Sequence, residues 1–270
     1  MNVTHRWGDT AVRWLAAGGL ALALVGLAGC ASSPPGDDIV TASDEPEARK
    51  RARIRLQLAV GYFEQGQTTV ALDEVKQALV IDPSFAEAYN VRGLVYMRLN
   101  DNRLAEESFR RALSFNPRDA NVQHNLGWLL CQQEKYAEGI DYFTRALDNP
   151  TYGGRAKTLL TKGLCQTRAG QLAEAERSLA KSYELDAGNP VTGYNLASLL
   201  YGRRDFARAQ FYIRRINNSE LANAETLWLG IKVEHRLGDS VARDQLGSQL
   251  RNRYPKSREL ALYERRAFND

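Results

Sequence analysis

Residues 86–117 read AEAYNVRGLVYMRLNDNRLAEESFRRALSFNP, and three of them, Gly93, Ala105 and Phe109, set a pattern repeated along the chain. The first position returns as Ala59, Gly93, Gly127, Gly163, Ala197 and Gly230, at spacings of 34, 34, 36, 34 and 33 residues. Twelve residues on lies a second small series, Ala71, Ala105, Gly139, Ala175, Ala209 and Ala242. Four further on comes a bulky one, Val75, Phe109, Phe143, Leu179, Ile213 and Leu246. Proline is expected to close several units, at Pro83, Pro117, Pro150, Pro190 and Pro255. Three registers sharing one period in six copies define an internal repeat.

Small residues twelve apart suit two helices of one hairpin whose backbones approach closely. The bulky residue one turn later shares the buried face. Proline ends the second helix because it lacks an N–H and clashes with the preceding turn. A single hairpin cannot bury its apolar face, so the units must stack. The pattern resembles the tetratricopeptide repeat. That resemblance implies an all-α fold, a right-handed superhelical solenoid of six helix hairpins over roughly residues 52–255. The tail KSRELALYERRAF, with Leu260 and Tyr263 among charges, reads as a C-terminal capping helix, so the folded domain is expected over 48–270. Two units depart from the pattern. Ile216 stands where the fifth unit expects a small residue, and the third carries Glu134 and Gly139 where Gly and Ala are commoner.

His5, Arg6 and Arg13 precede the uncharged run Trp14–Gly29, the order of a secretory signal peptide over residues 1–29. The run is shorter than the roughly 20 residues a membrane span needs. Leu27-Ala28-Gly29-Cys30 resembles a bacterial lipobox, which implies cleavage before Cys30 and lipidation of its thiol. Ala31, rather than Asp, follows the cysteine, which by the sorting rule for such lipoproteins implies an outer-membrane anchor facing the periplasm. Residues 30–47, rich in Pro, Ser and Asp, read as a lipidated N-terminus and flexible tether. The following ARKRARIR has two readings, a solvated face of the first helix or an electrostatic contact with anionic lipid.

The 241 residues after the signal carry a formal charge of only +3, which argues against nucleic acid as a ligand. Histidine occurs only as His5, His124 and His235, and no P-loop, G-x-S-x-G, H-E-x-x-H or paired CxxC is present. His124 and Cys131 share a helix face but are two ligands where a closed zinc site takes four. No enzyme, cofactor, metal or small-molecule substrate is expected, and the isolated chain is expected to be monomeric. Cys131 and Cys165 occupy nearly equivalent positions in the first helices of units three and four. Such helices pack side by side, so the thiols can meet in an oxidising compartment; the alternative is two small buried hydrophobes.

Tetratricopeptide proteins line their concave face mainly with first helices. Transferring that geometry places Leu56, Val60 and Phe63, then Asn90, Leu94 and Met97, then His124 and Trp128, in a partner-binding groove over units one to three. The alternative is packing between adjacent helices.

The stretches NLGWLLCQQEKYAEGIDYFTRAL (125–147) and TKGLCQTRAGQLAEAERSL (161–179) look like units three and four of the type IV pilus pilotin family. LASLLYGRRDFARAQFYIRR (196–215), LWLGIKVEHRLGD (227–239) and QLRNRYPKSREL (249–260) resemble its later units and C-terminal end. The resemblance implies a non-enzymatic outer-membrane lipoprotein whose partner is the pilus secretin, which it localises or helps assemble into a ring. It also implies that Cys131 and Cys165 pair. The rival reading is a scaffolding lipoprotein for another envelope complex, such as outer-membrane protein assembly or a cell-wall hydrolase adaptor.

Overall fold

The computed structural model describes residues 45–268, so the signal segment, Cys30 and most of the tether lie outside the described residues. One compact unit starts at Glu47. Its helices are α1 (Glu47–Glu64), α2 (Thr68–Ile81), α3 (Ala86–Arg98), α4 (Asn102–Phe115), α5 (Ala120–Gln132), α6 (Tyr136–Asp148) and α7 (Arg155–Arg168). They continue as α8 (Leu172–Leu185), α9 (Pro190–Gly202), α10 (Phe206–Asn217), α11 (Ala224–Leu237), α12 (Ser240–Arg253) and α13 (Arg258–Glu264). All regular structure among the described residues is helical.

Each odd-numbered helix from α1 to α11 pairs most closely with the next even one, giving six hairpins, and α13 packs on both helices of the sixth. The three small and bulky registers meet at the hairpin cores. A methyl added to Gly93 would stand 2.5 Å from the Phe109 ring, and one on Gly163 would stand 2.7 Å from Leu179. Val75, Phe109, Phe143, Leu179 and Ile213 are buried in consequence.

The departures from the pattern have local explanations. In unit three both helices carry glycine, and their backbones touch: a Cβ on Gly139 would lie 2.8 Å from the Gly127 carbonyl oxygen. In unit five Ile216 is buried because Gly193 opposite it leaves room; a Cβ there would be 3.1 Å from Ile216 Cδ1. Pro190 corrects an expectation. Helix α8 already ends at Leu185, and Pro190 is the first residue of α9, behind the Asn189 N-cap. Its fixed φ suits a helix start, so it opens unit five rather than closing unit four.

A fourth register appears only in the backbone. Gly66, Asn100, Glu134, Gly170, Arg204 and Gly238, one per hairpin turn, all have φ between 61° and 78°. Glu134 therefore stands where glycine is usual because the turn keeps its left-handed geometry at the expense of side-chain crowding.

Successive first helices touch, α1 on α3, α3 on α5 and so on to α11 on α13, whereas no two consecutive second helices do. The stack is thus tighter on the first-helix side and curves toward it, making that side concave. On the convex side long side chains span the wider gaps, as where Arg110 reaches Glu138 at 2.7 Å and Arg208 reaches Glu176 at 2.7 Å.

The glycine contacts separate two kinds of helical glycine by the sign of their effect. Gly139→Ala is expected to lower stability by about 1–2 kcal/mol, because overpacking against a backbone exceeds the helix-propensity gain. Gly61→Ala, with nothing within 4 Å, is expected to raise it by about 0.5–1 kcal/mol. Urea unfolding of the two variants measures both; equal shifts would contradict the close contact in unit three.

Candidate functional site

The concave face is built from the outward residues of α1, α3, α5, α7, α9 and α11. Val60, Leu94, Trp128, Leu164 and Ser198 occupy one repeated position along it, all at least partly accessible. Leu94 and Met97 lean on the cluster around Phe109 and Leu126, and Trp128 leans on the cluster of Cys131, Phe143 and Cys165. These side chains are half core and half surface. Phe63 is covered by the Arg98 guanidinium, 3.7 Å from its ring centroid, and Arg168 lies 5.5 Å from the Trp128 ring. Cations of one unit thus cover aromatic rings of an earlier one, leaving this rim apolar and positive together.

Two residues expected in the groove lie elsewhere. Leu56 is buried with Ala52, Ala59 and Val75, and His124 is buried between units three and four. Asn90, half-buried, accepts a hydrogen bond from Asn125 Nδ2 at 3.0 Å across α3 and α5. The physical reason is rotation: one residue along a helix turns the side chain about 100°. Leu56 and His124 point between helices, and Gln57 and Asn125, one residue later, are more accessible.

A cleft on the first-helix side lies in the C-terminal half, among residues the sequence reading did not place in the groove. It measures about 340 Å³ and is lined from α9 by Tyr194, Ser198 and Tyr201, from α11 by Trp228 and Lys232, and from the cap α13 by Glu259. Lys232 Nζ stands 5.3 Å from the Tyr201 ring and 5.9 Å from that of Trp228. Burial, helped by the Glu225 and Glu259 carboxylates, raises the Tyr194 phenol above its ordinary pKa, keeping it a neutral hydrogen-bond donor at pH 7. The signal existed in the sequence: Tyr201 falls in the register of Phe63 and Met97, and Ser198 in that of Leu94 and Trp128.

At the joint between units three and four the repeat is two residues longer. The extra length forms the loop before α7 and carries Tyr152, which is buried. Tyr152 Oη and Thr158 Oγ1 are 3.0 Å apart, and Thr158 Oγ1 lies 2.8 Å from His124 Nδ1. Burial, with the positive charge of Lys157, lowers the His124 pKa from 6.5 to about 4, so the imidazole is neutral at pH 7. At the same joint the buried Cys131 of α5 and Cys165 of α7 bring their sulfurs together across a Cα–Cα distance of 5.8 Å, within the range a disulfide needs. Among the described residues no cluster of three or more His, Cys, Asp or Glu is arranged to hold a metal ion.

A curved stack of helix hairpins with an apolar, cation-edged concave face defines a tetratricopeptide-repeat architecture. Repeat models agree, matching a TPR repeat at residues 61–100 and a tetratricopeptide repeat at 91–156 and 124–190. The chain is similar to the type IV pilus assembly protein PilF of Pseudomonas aeruginosa, with 31% identity over 90% of this chain and 95% of that protein. The solved structure of P. aeruginosa PilF matches with a TM-score of 0.73 and 30% identity, over 82% of this chain and all of that one. The structure of PilW, described as a widely conserved type IV pilus biogenesis factor, matches with a TM-score of 0.72 and 32% identity, over 79% and 98%. The chain belongs to the PilF/PilW family of type IV pilus tetratricopeptide-repeat proteins.

Proposed function

We propose that this protein is a pilotin: a lipoprotein, anchored through Cys30 in the outer membrane, that binds the type IV pilus secretin and promotes its localisation and assembly into a ring. Similarity to PilF along nearly the whole of both chains carries this reading. The concave face supplies the binding surface, running from Leu94 and Trp128 to the cleft of Tyr201, Trp228 and Lys232. An extended apolar segment of the secretin lies along it. Tethering at the membrane then raises the local concentration of secretin subunits without further contacts, and assembly outpaces misinsertion. The role is one of binding, with no catalytic step. Cys131 and Cys165 are joined as a disulfide in the oxidising periplasm and hold units three and four at a fixed angle.

Two substitutions probe the surface at its ends. Leu94→Glu places a charge in the N-terminal half, and Ser198→Trp fills the C-terminal cleft from an exposed position. Each is expected to weaken capture of purified secretin about tenfold or more, the loss usual for a central contact residue, with melting temperatures near that of the parent protein. Secretin binding undiminished in both folded variants contradicts the groove. For the anchor, fractionation of cells expressing Cys30→Ala is expected to move the protein from the outer membrane to the soluble periplasm; unchanged membrane association contradicts lipidation at that residue.

A further inference from the structure

Helix α1 has an open side that no other first helix of the stack has. In units two to five the position equivalent to Ile54 is Ala88, Val122, Thr158 and Thr192, all buried against the unit before, and in unit six it is the charged, exposed Glu225. The position equivalent to Leu58 is buried Leu126 in unit three, Leu196 in unit five and Leu229 in unit six, and half-buried Arg92 and Lys162 in units two and four. In α1 itself Ile54 is 59% and Leu58 43% exposed. At the far end of the stack the corresponding face is covered by α13. Around Ile54 and Leu58 the helix concentrates positive charge in Arg49, Lys50, Arg51, Arg53 and Arg55. Arg49 pairs with Asp82, Lys50 with Glu47 and Arg55 with Glu74, while Arg51 is exposed one turn before Ile54 and Arg55.

We infer that this end face docks on the anionic surface of the membrane to which the chain is tethered. Two observations select lipid. The helix starts seventeen residues after Cys30, a chain length that reaches at most roughly 55–60 Å when extended, so a lipidated Cys30 keeps the face within reach of headgroups throughout. The charge also selects: a second copy meeting this face symmetrically would set exposed Arg51 toward the same basic face of its counterpart, whereas acidic headgroups complement it and the interface accommodates Ile54 and Leu58. Docking stands the solenoid on its first unit, with the concave face rising from the membrane and the cleft of units five and six farthest from it.

The inference builds on the anchor at Cys30, so its test uses residues 30–270 with Cys30→Ser, which reads docking without the lipid. Cosedimentation with vesicles of one part phosphatidylglycerol to two parts phosphatidylcholine is compared with phosphatidylcholine alone. Binding is expected only with phosphatidylglycerol, falling steeply with salt, and Ile54→Glu/Leu58→Glu should weaken it about tenfold or more. Val80→Glu, at a 77% exposed site on α2, should leave it unchanged. Absence of preference for anionic vesicles overturns the inference, as does equal weakening by Val80→Glu. A concentration-dependent dimer that the double substitution dissociates also overturns it, assigning the face to a second copy. Failure here leaves the Cys30→Ala fractionation result standing, and the reverse holds.

Discussion

Removing the proposed Cys131–Cys165 disulfide is expected to lower stability by about 3–4 kcal/mol. The two residues are 34 apart in sequence, and in the chain-entropy model closing a loop of that length removes about this much free energy from the unfolded ensemble's advantage. The location adds to the expectation. The proposed bond would join α5 to α7 across the joint where the period lengthens, so that units three and four meet on a longer connection than their neighbours do. Alanine is the better replacement, because both sites are buried beside Phe143 and a serine hydroxyl there would add an unsatisfied polar group. Urea unfolding of Cys131→Ala/Cys165→Ala against the oxidised parent measures the loss. Equal stabilities, together with two titratable thiols besides Cys30 in denatured, unreduced protein, would contradict the bond.

Acidification is expected to weaken the same joint. His124 is held neutral in the folded protein, its pKa lowered to about 4 by burial and by Lys157, against 6.5 when free. Between those values the unfolded chain binds a proton that the folded chain does not. Unfolding therefore takes up a proton, and stability falls as pH drops from 6.5 toward 4, by about 3 kcal/mol in full. Above pH 6.5 both states are neutral and the effect vanishes. Carboxylates titrate at the lower end of this range, so the informative quantity is the difference between the parent protein and His124→Gln. That difference should change with pH between 6.5 and 4 and be flat above 7; parallel profiles would show that His124 protonates as easily folded as unfolded.

Period and residue size made the fold legible because hairpin packing leaves room for a side chain at fixed places only. Gly93 opposite Phe109 and Gly163 opposite Leu179 are the same solution repeated, and repetition separates signal from coincidence. The exceptions were illegible singly because each is a two-residue compensation. Ile216 is understood only with Gly193, and Gly139 only with Gly127. Pro190 was misassigned for a related reason: proline suits both the end of one helix and the first turn of the next, and only the positions of Leu185 and Asn189 decide between them.

The candidate site was half legible. Val60, Leu94 and Trp128 lie on the accessible side of their helices. Leu56 and His124 do not, because a residue type that suits a groove also suits the space between helices, and a rotation of one position exchanges the two. The cleft of units five and six needed the cap as well as the repeats. Its third wall comes from α13, and residues on three helices far apart in sequence converge only when the stack is assembled.

The proposed role of this chain is to drive secretin assembly through its concave face. The most direct measurement is the amount of heat- and detergent-resistant secretin multimer in outer membranes of three strains: parent, deletion, and deletion complemented with Ser198→Trp/Leu94→Glu. Multimers are expected in the parent, and secretin monomers in the deletion strain and in the strain carrying the stably expressed double variant. Multimers at parental levels in the deletion strain would contradict it.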